Sequence, residues 1–270
     1  MNNPIFQLKN VNFAYLGKYP ALCNINLDIF QGEKICIIGA NGSGKSTLLH
    51  LLDGLIFPDQ GIFEAFAEQI NESKLNEIEF SQKFRKRVGL VLQNPDVALF
   101  CPTVEEDIIF GPLQLGVDHS EVKARLKELS QVFGIEHLLS RSVHQLSLGE
   151  QKKVSIAGIL AIDPDVLLLD EPTSGLDPLT SRQIVDIIIE ANQKGKTVIT
   201  ATHDLHIVEE IADKVCILSK DKSIVKLGPA NELLSDMNLL RDHNLIHIHK
   251  HTHAGQIHTH PHQHLEHHAD

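Results

Sequence analysis

No apolar run in the sequence approaches the roughly 18–20 residues of a membrane-spanning helix, so none is expected to cross a bilayer. The most apolar stretches, 154–162 and 184–189, have the length of buried helices instead. Residues 1–10 lack both the basic start and the long apolar stretch of a secretion signal. The four cysteines, Cys23, Cys36, Cys101 and Cys216, form no C-x-x-C pair, and three sit in apolar runs. Small buried hydrophobes in a reducing compartment is the expected reading. Positive charge is also short: the formal net charge of −11 argues against a nucleic-acid partner, which needs a basic face. No internal repeat is visible. What is left, 270 residues at 42% hydrophobic content, can bury the core of one large domain or two small ones.

Against those absences stands an octapeptide. Residues Gly39, Ala40, Asn41, Gly42, Ser43, Gly44, Lys45 and Ser46 fit G-x-x-x-x-G-K-[ST], the loop that wraps the phosphates of a nucleoside triphosphate. Its glycines let backbone N–H groups turn inward around an anion in conformations a Cβ would obstruct. Lys45 can reach the β- and γ-phosphates, and the Ser46 hydroxyl can ligate Mg²⁺. The apolar run 35–38 reads as a buried strand ahead of the loop. The stretch 46–52, which includes Thr47, reads as a helix whose N-terminus adds a positive dipole end.

The wider pattern supplies the context. Residues 11–15 and 22–30 alternate as half-buried antiparallel strands do. Buried strands are expected at 88–92, 166–169, 197–201 and 215–218, with helices at 179–193 and 205–212 between them. Strands alternating with helices imply an α/β fold with a mainly parallel sheet covered on both faces. Between Asn94 and Asp163 the spacing turns helical, at 104–110, 120–133 and 149–161, so a helical subdomain over about 95–162 is expected as an insertion. A cassette over 1–235 and a disordered tail over 236–270 complete the expected organisation.

The apolar strand 166–169 ends in Asp170 and Glu171. Beside a phosphate loop, Asp170 is placed to hold Mg²⁺ and Glu171 to orient or deprotonate the attacking water. Ser147-Leu148-Gly149-Glu150-Gln151 precedes this strand and Ser174-Gly175-Leu176-Asp177 follows it, while Gln93 and His203 each follow a further strand. In this ordered set the chain resembles the nucleotide-binding subunit of an ABC (ATP-binding cassette) ATPase, from about Ile5 to Ser235. The resemblance implies a P-loop NTPase cassette with an antiparallel N-terminal β subdomain, using ATP and Mg²⁺. It also implies the roles. Tyr15 stacks on adenine, and Gln93 touches Mg²⁺ and the attacking water while sensing a membrane subunit. Ser147 and Gly149 face the γ-phosphate across a dimer, Asp177 ends the loop crossing that interface, and His203 contacts the γ-phosphate. The chain departs from the family's signature in one place: Leu148 stands where the first glycine is usual, and Glu150 precedes Gln151.

Residues 93–100 and 103–112 are similar to the ATPase subunits of energy-coupling-factor importers, which take up cobalt, nickel or vitamins. That similarity implies a second cassette, identical or a close paralogue, integral membrane transport subunits, and a peripheral location on the cytoplasmic face of the cell membrane. The histidines bear on cargo. Of the 17, eleven fall in the 26 residues from His243 to His268, largely as H-x-H. His247, His249, His251, His253, His258, His260, His262 and His264 are candidate ligands for Ni²⁺, Co²⁺ or Zn²⁺, since neutral imidazole suits such borderline ions without selecting among them. Nickel or cobalt import is therefore expected. The rivals are vitamin uptake by the same engine and a soluble ABC ATPase, which usually has tandem cassettes or a long coiled-coil insertion absent here.

Overall fold

The computed structural model describes residues 3–253 and 256–262, those from 247 onward as backbone only. The chain opens with β1 (Phe6–Tyr15), β2 (Tyr19–Ile29) and β3 (Lys34–Gly39), then helix α1 (Lys45–Leu52). Strands β4 (Gln60–Ala65) and β5 (Glu68–Gln69), helices α2 (Glu72–Leu75) and α3 (Ile78–Arg87), and strand β6 (Val88–Val91) follow. Three longer helices come next: α4 (Val104–Gln114), α5 (His119–Phe133) and α6 (Leu148–Ile162). The core then resumes with β7 (Val166–Asp170), α7 (Pro178–Gln193), β8 (Thr197–Ala201), α8 (Leu205–Ile211), β9 (Lys214–Leu218) and β10 (Ile224–Pro229). Helices α9 (Ala230–Ser235) and α10 (Met237–Asp242) and strands β11 (His247–His253) and β12 (Gln256–His262) close the chain.

Six strands form the central sheet in the order β10-β9-β3-β8-β7-β6, all parallel except the antiparallel edge strand β10. Because successive side chains of a strand point to opposite faces, each strand feeds two cores. Ile35 and Ile37 of β3, with Val166 and Leu168 of β7, pack under α1 and the smaller sheet. Cys36, Ile38, Leu167 and Leu169 pack on the other face with α6, α7 and α8. The smaller sheet is antiparallel, in the order β2-β1-β4-β5.

Local chemistry fixes the ends that matter. Helix α6 starts at Ser147 with a capping box, in which the Ser147 side chain and Glu150 each satisfy an exposed backbone N–H of the first turn. Helix α7 starts at Asp177, which accepts from Thr180 N, with Pro178 in the first turn where its missing N–H costs nothing. Strand β1 begins at Phe6, not at residue 11 as its alternation suggests. Asn10 takes φ 50°, and the register shifts between Leu8 and Val11, so the in-out alternation is broken there.

The expected boundary at 236 needs correction. Helix α10 lies beyond it, and Leu240, Leu245 and Ile246 are buried in the large core, so the chain packs onto the cassette up to Ile246. Strands β11 and β12 pair antiparallel, with His247 opposite His262, His249 opposite His260 and His251 opposite His258. His264 lies outside the described residues. No helix among the described residues is long and apolar enough to cross a membrane.

Candidate functional site

The site is assembled at the C-terminal ends of the parallel strands, where an open α/β sheet presents its loops to a ligand. The loop from Gly39 to Gly44 joins β3 to α1 and turns twice through left-handed conformations, at Gly42 (φ 75°) and Gly44 (φ 103°). Glycine is required at 44 for a second reason: a Cβ there would lie 2.4 Å from the Ala21 carbonyl oxygen. The Lys45 side chain folds back over the loop and donates from Nζ to the Gly39 carbonyl at 2.9 Å. It is nearly buried, and burial lowers its pKa against the opposing charges of Glu171 and Asp170. Ser43 Oγ is buried without a partner among the described residues, which fits a cradle built for an anion. Lys222, from the turn after β9, also reaches the loop, donating to the Gly42 carbonyl.

Asp170 ends β7 beside this loop. Its carboxyl is buried, which pushes its pKa up, while a hydrogen bond from Ser46 opposes the rise. Among the described residues Asp170 Oδ1 has no partner. An unpartnered carboxylate oxygen next to a serine hydroxyl fits a hard, oxygen-ligated cation such as Mg²⁺. Among the described residues no group of three or more His, Cys, Asp or Glu is arranged to hold a metal ion.

Glu171 sits one residue further, with φ 45°, a left-handed conformation that costs a non-glycine residue about 1–3 kcal/mol. The surroundings hold it there. Its N–H donates to the Ala201 carbonyl at 2.8 Å, and its carbonyl accepts from Lys152 Nζ at 3.0 Å and Ser174 N at 3.2 Å. Glu171 Oε1 pairs with His203 Nδ1 at 2.8 Å, and Oε2 accepts from Thr202 Oγ1 at 3.2 Å. The hydrogen bond to Glu171 raises the His203 pKa, favouring the imidazolium beside the carboxylate.

The structure thus brings Lys45, Ser46, Asp170, Glu171 and His203 to one place. Tyr15 is at the rim, 42% exposed, with its hydroxyl 3.3 Å from Thr47 Oγ1 and its ring edge-on to Phe13. Gln93 is exposed just beyond β6. The signature segment is oriented otherwise. Ser147 is exposed, and its hydroxyl donates to its own Glu150 at 2.8 Å rather than to any phosphate-loop residue. Those two hydrogen bonds from Ser147 hold the Glu150 carboxyl below the usual range, so it is anionic. Leu148 is 42% exposed and packs along Gly175, whose added Cβ would meet it at 3.1 Å. Asp177 caps α7 rather than reaching the loop.

One site residue escaped the sequence reading. Lys152 of α6 is 1% exposed, and its ammonium touches the Glu171 backbone. Burial lowers its pKa to about 8 despite the charges of Asp170 and Glu171. The available signal was the first lysine of the Lys152-Lys153 pair, at helical spacing from Ser155 and Ile156 on the face of α6 that turns inward.

Comparison with known proteins agrees with this geometry. The family model described as ABC transporter matches residues 22–174. A nickel import ATP-binding protein, NikO of Rhodobacter capsulatus, is 44% identical over 90% of this chain and 96% of its own. Other curated relatives at 40–42% identity are named energy-coupling factor transporter ATP-binding proteins. Among solved structures, cbiO1 of Clostridium perfringens, part of the complex cbiONQ, superposes with a TM-score of 0.76 at 35% identity. It covers 90% of this chain and 96% of its own. The cassette MJ0796, a post-hydrolysis dimer bound to ADP and Pi, superposes with a TM-score of 0.75 at 30% identity, over 83% of this chain and 98% of its own.

Proposed function

The chain belongs to the ABC transporter family as an ATP-binding, ATP-hydrolysing subunit, and from that premise we propose that it powers import of a transition-metal ion, Ni²⁺ or Co²⁺. The observation that carries the cargo is the nickel import relative at 44% identity, together with the H-x-H series of this chain. The cbiONQ membership of the structural neighbour supports the same class. The energy-coupling-factor names among the relatives keep the vitamin reading as the rival.

The division of labour follows from the residues. Backbone N–H groups of residues 40–46 and Lys45 bind and neutralise the phosphates, and Asp170 and Ser46 would hold Mg²⁺, which would supply further charge neutralisation there. Glu171 accepts a proton from the attacking water, and the His203 ring both orients Glu171 and faces the γ-phosphate. Ser147 is exposed and bonded to Glu150, and Gly149 lies against Thr180 and Leu176, so on this reading the pair closes the site of a facing cassette, this chain or a close paralogue. ATP then holds two cassettes together and hydrolysis releases them, which is the stroke. Leaving Glu150 for the phosphate is the cost of that closure to Ser147.

The stroke needs a membrane partner. The groove lined by Leu55, Leu90, Leu115, Ile159 and Ile162, between α1, β6, α4 and α6, supports docking of an integral subunit near Gln93. Such a chain is peripheral, on the cytoplasmic face of the membrane. Proteoliposomes holding the chain with its membrane subunits should accumulate Ni²⁺ or Co²⁺ when ATP is supplied on the cassette side. Uptake of a vitamin with no metal movement would transfer the chain to the rival reading.

The histidine series gathers ions outside the engine. Because the cassette core extends to Ile246, the informative truncation ends there. Removing 247–270 should abolish most Ni²⁺ binding by calorimetry at neutral pH, and should leave ATP hydrolysis in the assembled complex nearly unchanged. In the full chain the same binding should fade below about pH 6 as the imidazoles protonate. A truncated chain that kept several Ni²⁺ ions, or one that lost ATP hydrolysis, would refute this role.

A further inference from the structure

We infer that Lys152 is a positioning residue: it ties helix α6, whose first turn engages the facing cassette's ATP, to the peptide of Glu171 in its own chain. The inference rests on the dimeric reading of Ser147 and Gly149. An ammonium is among the groups least often buried, because its desolvation is costly unless it is paired. Lys152 nonetheless ranks among the largest fully buried side chains. Among the described residues its one hydrogen bond is to a main-chain carbonyl, that of Glu171, and no carboxylate is within ion-pair distance of it, although Asp170 and Glu171 are near enough to act on its charge. A hydrophobic residue of the same length would fill the space without that desolvation. The lysine is thus a feature that packing alone does not explain.

The connection has a direction. Ser147 caps α6 and Lys152 lies five residues along the same rigid helix, about 7.5 Å further at 1.5 Å per residue. Glu171 holds a left-handed backbone at φ 45°, and the orientation of its side chain depends on that conformation being kept. The Ala201 carbonyl anchors the N–H side of this residue from within the sheet. The carbonyl side is anchored by Ser174, from the loop after β7, and by Lys152, which alone comes from the inserted helical subdomain. When Ser147 and Gly149 seat on the partner's nucleotide, α6 is drawn to a defined position. Lys152 then sets the peptide of Glu171, and hence its carboxylate, for the ATP bound to its own chain. One helix thereby reports the occupancy of one nucleotide site to the base of the other.

Lys152→Met, which keeps length and removes the charge, tests this in the assembled complex. The variant should keep its melting temperature, bind ATP with a KM within about twofold of wild type, and lose roughly tenfold or more in kcat. Its dependence on ATP concentration should become hyperbolic if wild type is sigmoidal. Lys152→Arg, which can still donate to the Glu171 carbonyl, should recover part of kcat. A Met variant with wild-type kcat and unchanged melting would overturn the role. A loss of kcat accompanied by a lower melting temperature, without recovery by Arg, would reduce Lys152 to a structural tie. The dimeric premise is read separately, by adding Lys152→Met to a Glu171→Gln chain and measuring ATP-dependent dimerisation. Dimers that form normally leave the premise standing whatever kcat does. If the Glu171→Gln chain itself never dimerises with ATP, the premise fails, and with it the inference.

Discussion

Replacing Glu171 by Gln is expected to lower ATP turnover by a factor on the order of 100 to 10,000 while leaving ATP binding intact. The amide keeps the shape and the hydrogen bond to His203 but no longer accepts a proton from water. Nothing in the phosphate loop depends on that proton, because Lys45 and the Gly39–Gly44 backbone do the binding. With chemistry blocked and binding preserved, ATP should hold two cassettes together, and a dimer should accumulate that elutes at twice the monomer mass. Turnover close to wild type in the membrane complex would remove Glu171 from the role of base.

Lys45→Ala should fail earlier. Lys45 is nearly buried, and its Nζ lies against the Gly39 carbonyl, where the terminal phosphates would arrive. Removing it leaves phosphate charge without its main side-chain counter-charge in a partly desolvated site, where each such interaction is strong. Turnover should fall on the order of 100-fold or more, and ATP should no longer drive dimerisation at concentrations that saturate the wild type. The contrast is diagnostic. Glu171→Gln traps a dimer and Lys45→Ala prevents one. If the two variants gave the same dimerisation profile by analytical ultracentrifugation, binding and chemistry would not be divided between these residues.

Much of the fold could be read in the sequence because its strands are buried on both faces. Runs such as Ile35–Ile38 and Val166–Leu169 are continuous apolar blocks, and their ends mark the site. The phosphate loop was legible for a different reason: its function is carried by backbone shape, which glycines at fixed spacing (39, 42 and 44) within one short stretch encode. What stayed hidden is instructive. Strand β4 has an exposed first half, with Gln60, Gly61 and Ile62 all exposed, so no alternation announces it. The residues from 236 to 246 bury only Leu240, Leu245 and Ile246, too few to form a period. Lys152 could not be assigned a partner, since it contacts a carbonyl 19 positions away and side-chain identity says nothing about that. Asp177, Ser147 and Glu150 occupy helix caps in the single chain, so their sequence signal fits both a cap and a dimer contact.

The central claim is that each ATP site is completed by the signature segment of the facing cassette. It is tested most directly by counting occluded nucleotides in dimers assembled from two differently tagged copies of the chain. In the first dimer one copy carries Ser147→Arg and the other Lys45→Ala. Composite sites concentrate both lesions in one site and leave the other whole, so one ATP per dimer should be retained. In the second dimer both substitutions sit on one copy and the other is wild type. Composite sites then carry one lesion each, and no ATP should be retained. The opposite pattern, none in the first dimer and one in the second, would mean that each chain completes its own site, and the composite engine would be wrong.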